Sequence, residues 1–186
     1  MLLALGAILW DAFIENSPLT HASATSLTQA LGSFQGLAHR FERLAVPAPY
    51  VVINDSKATN PEASISALGC IPLQTPAIIL VGGLSKHTPL QDWAKSCLER
   101  TACVFCFGQD APEFFDVLEQ SGYNKPFSVV KDLKEATLKA LTLQQMHPTY
   151  PVLLAPACAS QDAFKDFEER GRFFESVVAD FFKELA

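Results

Sequence analysis

At 186 residues, with 49% hydrophobic and 18% charged side chains, the chain can bury one real core and is too apolar for intrinsic disorder. A formal net charge of −6 without any Lys/Arg cluster argues against a nucleic-acid groove or an anionic membrane surface as partner. The five cysteines, Cys70, Cys97, Cys103, Cys106 and Cys158, are an odd number without framework spacing, which points to reduced thiols and a cytoplasmic setting.

Met1 to Trp10 is an apolar run too short to span a bilayer. It also lacks the basic flank and small-residue cleavage site of a signal peptide, so it is expected as a core helix. A Ser/Thr-rich loop from Ser17 to Thr25 and a second short helix ending near Gly32 follow. Residues 1–36 thus read as a helical piece separate from what comes next. The stretch His39 to Leu44, before Pro47-Ala48-Pro49, is expected as an antiparallel edge strand.

From residue 51 onward a short apolar or β-branched run, turn chemistry and a helical stretch recur in that order. The runs are Val51 to Asp55, Ala77 to Val81, Ala102 to Phe107, Phe127 to Val130 and Pro151 to Ala155. Their near-continuous hydrophobicity predicts parallel strands covered on both faces. Asn60 caps a predicted helix with Pro61 at its first position and Gly69 at its end. Further helices are predicted from Pro89, from Pro112, near Asp132 and just after Ser160. The last carries Phe164, Phe167, Phe173, Phe174, Val177, Val178 and Phe181 along one stripe. Strand and helix in alternation predict an α/β, Rossmann-like open sheet, with about five parallel strands, one antiparallel edge strand and helices on both faces.

In such a sheet, ligands bind beyond the carboxyl ends of the strands. Those ends carry Asn54-Asp55-Ser56-Lys57-Ala58-Thr59-Asn60, Gly82-Gly83-Leu84-Ser85-Lys86, Gly108-Gln109-Asp110 and Pro156-Ala157-Cys158-Ala159-Ser160. Two lysines, several hydroxyls and helix starts on one rim suit a small ligand with more than one carboxylate, a nucleotide phosphate, or both.

The string Asp55-Ser56-Lys57-Ala58-Thr59-Asn60 after an apolar strand resembles the signature of the D-glutamate-adding Mur ligases. Gly36-Leu37-Ala38-His39-Arg40-Phe41-Glu42 is similar to the opening of that family's C-terminal domain. The segment Leu153 to Ser160, followed by Asp162, Phe164, Lys165, Phe167, Glu168, Arg170 and Gly171, resembles its last strand and helix. The resemblance implies a C-terminal domain over residues 37–186, with residues 1–36 the tail of a central ATP-binding domain. It implies an ATP- and Mg2+-using amide ligase of peptidoglycan precursor synthesis, cytoplasmic and monomeric, that joins D-glutamate to UDP-N-acetylmuramoyl-L-alanine through an acyl phosphate.

By the same resemblance, Arg40 and Asp55 contact the ribose region of the nucleotide and Lys57 fixes the nucleotide end of the site. Thr59 and Lys86 hold one carboxylate of D-glutamate. Ser160, the backbone at Gln161 and Phe167 hold the other. Lys57 and Lys86 are the catalytic candidates, and no metal ligand carries over. A G-x-x-x-x-G-K-S/T phosphate loop is missing, since Gly82-Gly83-Leu84-Ser85-Lys86 has the wrong spacing. The chain is therefore expected to be part of a longer ligase and inactive alone. A stand-alone nucleotide- or amino-acid-binding module is the alternative.

Plainer readings cover the remaining reactive residues. Cys103-Val104-Phe105-Cys106 has redox or zinc spacing, yet positions three apart on a strand face opposite sides and no second pair completes a zinc site. Both are expected as core, and Cys158 as packing under its loop. His21, His87 and His147 are expected in loops.

Overall fold

A computed structural model describes residues 36–185. The helices expected between Met1 and Gly32, and the loop between them, lie outside the described residues.

The strands are β1 (Glu42–Arg43), β2 (Val52–Asn54), β3 (Ala77–Gly82), β4 (Thr101–Phe107), β5 (Phe127–Val129) and β6 (Val152–Leu154). They form one sheet in the order β1-β2-β6-β3-β4-β5. All neighbours are parallel except β1, which pairs antiparallel with β2 through Glu42 opposite Asn54. Five parallel strands and one antiparallel edge strand are as expected, the edge strand being shorter than the run His39 to Leu44.

Among the described residues there are five helices: α1 (Pro61–Gly69), α2 (Gln91–Arg100), α3 (Ala111–Gln120), α4 (Leu133–Met146) and α5 (Phe167–Glu184). Strand alternation sorts the core into two layers. Ile53, Ile79, Val81, Val104, Cys106 and Leu153 pack with Leu68 of α1, Trp93 of α2 and Phe114 of α3. Their neighbours Val52, Ile78, Leu80, Cys103, Phe105 and Leu154 pack on the other side with Leu133, Ala140, Phe174 and Val178 of α4 and α5. Cys103 and Cys106 thus fall on opposite faces, and burial pushes their thiols up to about 11 and about 12. No helix among the described residues is long and apolar enough to cross a membrane.

Caps set the helix starts. The Asn60 side chain accepts from the Ala63 N–H at 2.8 Å, and Asp132 does the same for Glu135 at 2.9 Å. The last helix begins later than expected, at Phe167 instead of just after Ser160. Asp166 accepts from the Glu169 N–H at 2.8 Å, and the Glu169 carboxylate accepts from the Lys165 N–H. That reciprocal cap fixes the start. Before it, the Ser160 carbonyl takes the Ala163 and Phe164 N–H groups in a turn that does not propagate. Likewise α2 begins at Gln91, past Pro89.

Candidate functional site

The strand-end loops are bonded to one another, so they form one rim. Gly82 N–H donates to the Pro156 carbonyl at 2.8 Å, and Gly83 N–H to the Phe107 carbonyl at 3.1 Å. Leu84 and Ala159 exchange backbone hydrogen bonds at 2.9 and 3.0 Å. This brings the Lys86 loop beside Ser160. Ala157 N–H donates to the Ala58 carbonyl at 2.9 Å, joining the Thr59 loop to the same assembly. Asp110 accepts from the Ser85 N–H at 2.7 Å, and Asp162 from the Gln109 N–H at 3.1 Å. Gly83, at φ +129, meets this crowding without a side chain: a Cβ there would collide with the Ala159 carbonyl.

On the nucleotide edge anticipated from sequence, the Asp55 carboxyl lies within range of the Arg40 charge. Burial raises the Asp55 carboxyl above its ordinary value, opposed by the Phe41 N–H and the Arg40 charge. The Lys57 ammonium lies 4.0 Å from the centre of the Phe167 ring, a cation–π contact. The Phe167 carbonyl accepts from the Ser56 hydroxyl at 2.7 Å. Ring and carbonyl of Phe167 are therefore both engaged by the Asp55–Thr59 loop.

On the other edge, Lys86 and Gln161 are exposed and Thr59 is half-buried. Ser160 is only 1% exposed, yet its hydroxyl has no hydrogen-bond partner among the described residues. A buried hydroxyl left unpaired is unfavourable, so this atom is suited to receive a ligand oxygen. Cys158 packs beneath the loop as expected, its thiol pushed up to about 12 chiefly by burial. His87 is exposed, with its ring 3.4 Å from Glu113, and His147 follows α4, stacked on Tyr150.

Three residues central to the rim carried no assigned role in the sequence reading. Arg170 is fully buried. Its guanidinium donates to the Ser56 hydroxyl and carbonyl at 3.0 and 2.9 Å, and to the Cys158 and Ala159 carbonyls at 3.1 and 3.2 Å. One side chain thereby ties the loops after β2 and β6. Burial lowers it to about 10, against the opposing effect of Cys158 and Asp162. Ser56 is its partner. Asn54, a polar residue closing an apolar strand, accepts from the Ser56 N–H at 3.1 Å and donates to Glu175 at 2.7 Å. The visible signal was polar residues at positions that burial requires to be paired.

His39, Glu42 and Glu175 place one potential ligand atom each within 4.8 Å of one another. The Asn54 amide, oriented by Ser56, donates to Glu175 Oε1 and lies 3.0 Å from His39 Nδ1. Glu42 also accepts from the His39 backbone N–H, so hydrogen bonds knit the cluster together.

Residues 39–158 match the family described as "Mur ligase, glutamate ligase domain". The chain is 36% identical over 154 residues to UDP-N-acetylmuramoylalanine–D-glutamate ligase of Prochlorococcus marinus, covering 83% of this chain and 32% of that protein. It spans about a third of the length of the curated relatives it matches. Two solved structures share the fold. UDP-N-acetylmuramate–alanine ligase of Thermotoga maritima has a TM-score of 0.54 at 19% identity, over 86% of this chain and 36% of that one. Folylpolyglutamate synthase of Mycobacterium tuberculosis, complexed with ADP, has a TM-score of 0.57 at 13% identity, over 88% and 36%. A strand-end rim of this make, on a sheet of this order, matched along most of its length, belongs to the Mur ligase family, and the chain is a glutamate ligase domain of that family.

Proposed function

We propose that this chain is the part of an ATP-dependent, D-glutamate-adding ligase that holds the amino acid and one side of the nucleotide. In this reading residues 37–186 form the C-terminal domain and residues 1–36 the tail of a central domain. The protein acts as a cytoplasmic monomer in peptidoglycan precursor synthesis. The observation that carries the proposal is the buried Ser160 hydroxyl, without a partner among the described residues and held by the Leu84–Ala159 pairing on the same rim as Lys86.

The chemistry asked of these residues is positioning. A carboxylate of UDP-N-acetylmuramoyl-L-alanine takes a phosphoryl group from ATP, the D-glutamate amine attacks the acyl carbon, and phosphate leaves as the amide forms. Lys86 and Thr59 neutralise and orient one carboxylate of D-glutamate. Ser160, with the backbone at Gln161, donates to the other. Fixing both carboxylates aims the amine and removes the rotational freedom that would otherwise oppose attack. Arg40, Asp55 and Lys57 grip the nucleoside end, and Phe167 braces Lys57 through its ring. Mg2+ would screen the phosphates, and no phosphate loop is present in the sequence. The 186 residues alone therefore form no amide.

The test replaces the matching third of the Prochlorococcus marinus ligase with this chain and follows phosphate release. Release that depends on D-glutamate, is absent with L-glutamate and falls at least about tenfold in Lys86→Ala is expected, the equivalent of about 1.4 kcal/mol. A folded chimera indifferent to Lys86→Ala sinks the assignment.

A further inference from the structure

Gly171 lies inside α5, where glycine is about 1 kcal/mol less favourable than alanine. Its backbone is helical, so conformation does not require it. Space does. A Cβ on Gly171 would stand 2.7 Å from Cγ and 3.0 Å from Cε1 of the His39 ring, and closer still to Nδ1. The ring cannot swing clear without losing a hydrogen bond: its Nδ1 is 3.0 Å from Asn54 Nδ2 and 3.0 Å from Glu175 Oε1, and it accepts from the first when unprotonated or donates to the second when protonated.

His39 is only 6% exposed, and both its backbone groups are used. Its N–H donates to Glu42 at 2.7 Å, and its carbonyl accepts the Lys57 N–H at 3.0 Å. The segment around it is conformationally unfavourable, with His39 at φ +59 and Phe41 at φ +47. Such backbone persists only where surrounding contacts over-determine it. The ring seated on Gly171 supplies that contact.

We infer that the His39 ring, seated on Gly171 of α5 and held by Asn54 and Glu175, is a positioning lock for Arg40 and Lys57. Through it, α5 sets the nucleotide edge of the rim, while Arg170, the residue before Gly171, braces the Ser160 edge. Adjacent residues of one helix thus place the two halves of the site. The inference rests on the nucleotide reading above for its consequence, and on geometry alone for the lock.

The test uses the whole chain with Gly171→Ala and His39→Asn. Asparagine tolerates the left-handed backbone but lacks the ring. Amide hydrogen exchange is read at Lys57 against Phe174 and Val178 in α5, and ADP and D-glutamate are titrated separately. In both variants Lys57 should lose about tenfold or more of its protection while α5 keeps its own. The ADP Kd should rise about tenfold, a change of about 1.4 kcal/mol, with D-glutamate nearly unaffected. Wild-type Lys57 protection in the variants overturns the lock, as does an equal loss of both ligands. If the wild-type chain binds no ADP, the nucleotide reading fails and Lys57 exchange still decides the lock. If Gly171→Ala does not fold, His39→Asn decides alone, because it adds no atoms to the helix face.

Discussion

Replacing Arg170 by alanine should be among the most damaging single changes in the domain. Its guanidinium satisfies the buried carbonyls of Ser56, Cys158 and Ala159, and it also donates to the Ser56 hydroxyl. Arg170→Ala leaves the Ser56 and Cys158 carbonyls unpaired, each costing about 1–3 kcal/mol when buried, while the Ala159 carbonyl keeps the Leu84 N–H. Ser56 retains its hydrogen bond to the Phe167 carbonyl. Two effects offset the loss. Arg170 forms no ion pair among the described residues, so removing it relieves the burial of an uncompensated charge. Water entering the hole also restores part of the hydrogen bonding. The net expectation is about 2 kcal/mol of lost stability. For a domain of this size that lowers Tm by roughly 6 °C. Urea unfolding followed by circular dichroism should show a lower midpoint with an unchanged m value. Arg170→Lys, which keeps the charge but not the planar fork, should fall between. A loss below about 1 kcal/mol in the alanine variant would refute the view that this side chain ties the two loops, since two orphaned carbonyls cost more than that after both offsets.

Burial holds the thiols of Cys97, Cys103, Cys106 and Cys158 above their ordinary value of 9.0, with Cys106 and Cys158 at about 12. A raised folded-state value stabilises the protein below the unfolded-state value and is lost as pH climbs beyond it. Stability should therefore be level up to about pH 9 and then decline, by about 1.4 kcal/mol per pH unit for each such thiol. Equal urea midpoints at pH 8 and pH 10 would contradict this. In the native protein at neutral pH, a thiol reagent should titrate only exposed Cys70; rapid reaction of Cys158 would count against its packing role. Asn60→Ala removes the cap on α1 and should lower stability by about 1 kcal/mol, read as a midpoint shift.

The architecture was legible because each parallel strand is apolar on both faces, as Ile78 and Ile79 show by serving opposite layers. The placement of β6 between β2 and β3 was not, since parallel neighbours are chosen by packing far along the chain. The start of α5 was misplaced because Phe164 continues the apolar spacing of the helix while lying in a turn. The pair Asp166 and Glu169 was the overriding signal. At the site, the lysines and hydroxyls that reach outward could be named from residue type and strand-end position. The groups beneath them could not. Asn54, Ser56, His39 and Arg170 act through partners far along the chain, as in the bond from Asn54 to Glu175, 121 residues apart. Only the fold brings such partners together.

Mapping D-glutamate onto the chain by amide chemical shifts is the most direct measurement of the central claim. Saturable shifts at Thr59, Lys86, Ser160 and Gln161, stronger for D- than for L-glutamate and abolished by Lys86→Ala, are the predicted result. Shifts confined to other surfaces, or identical for the two enantiomers, would contradict it.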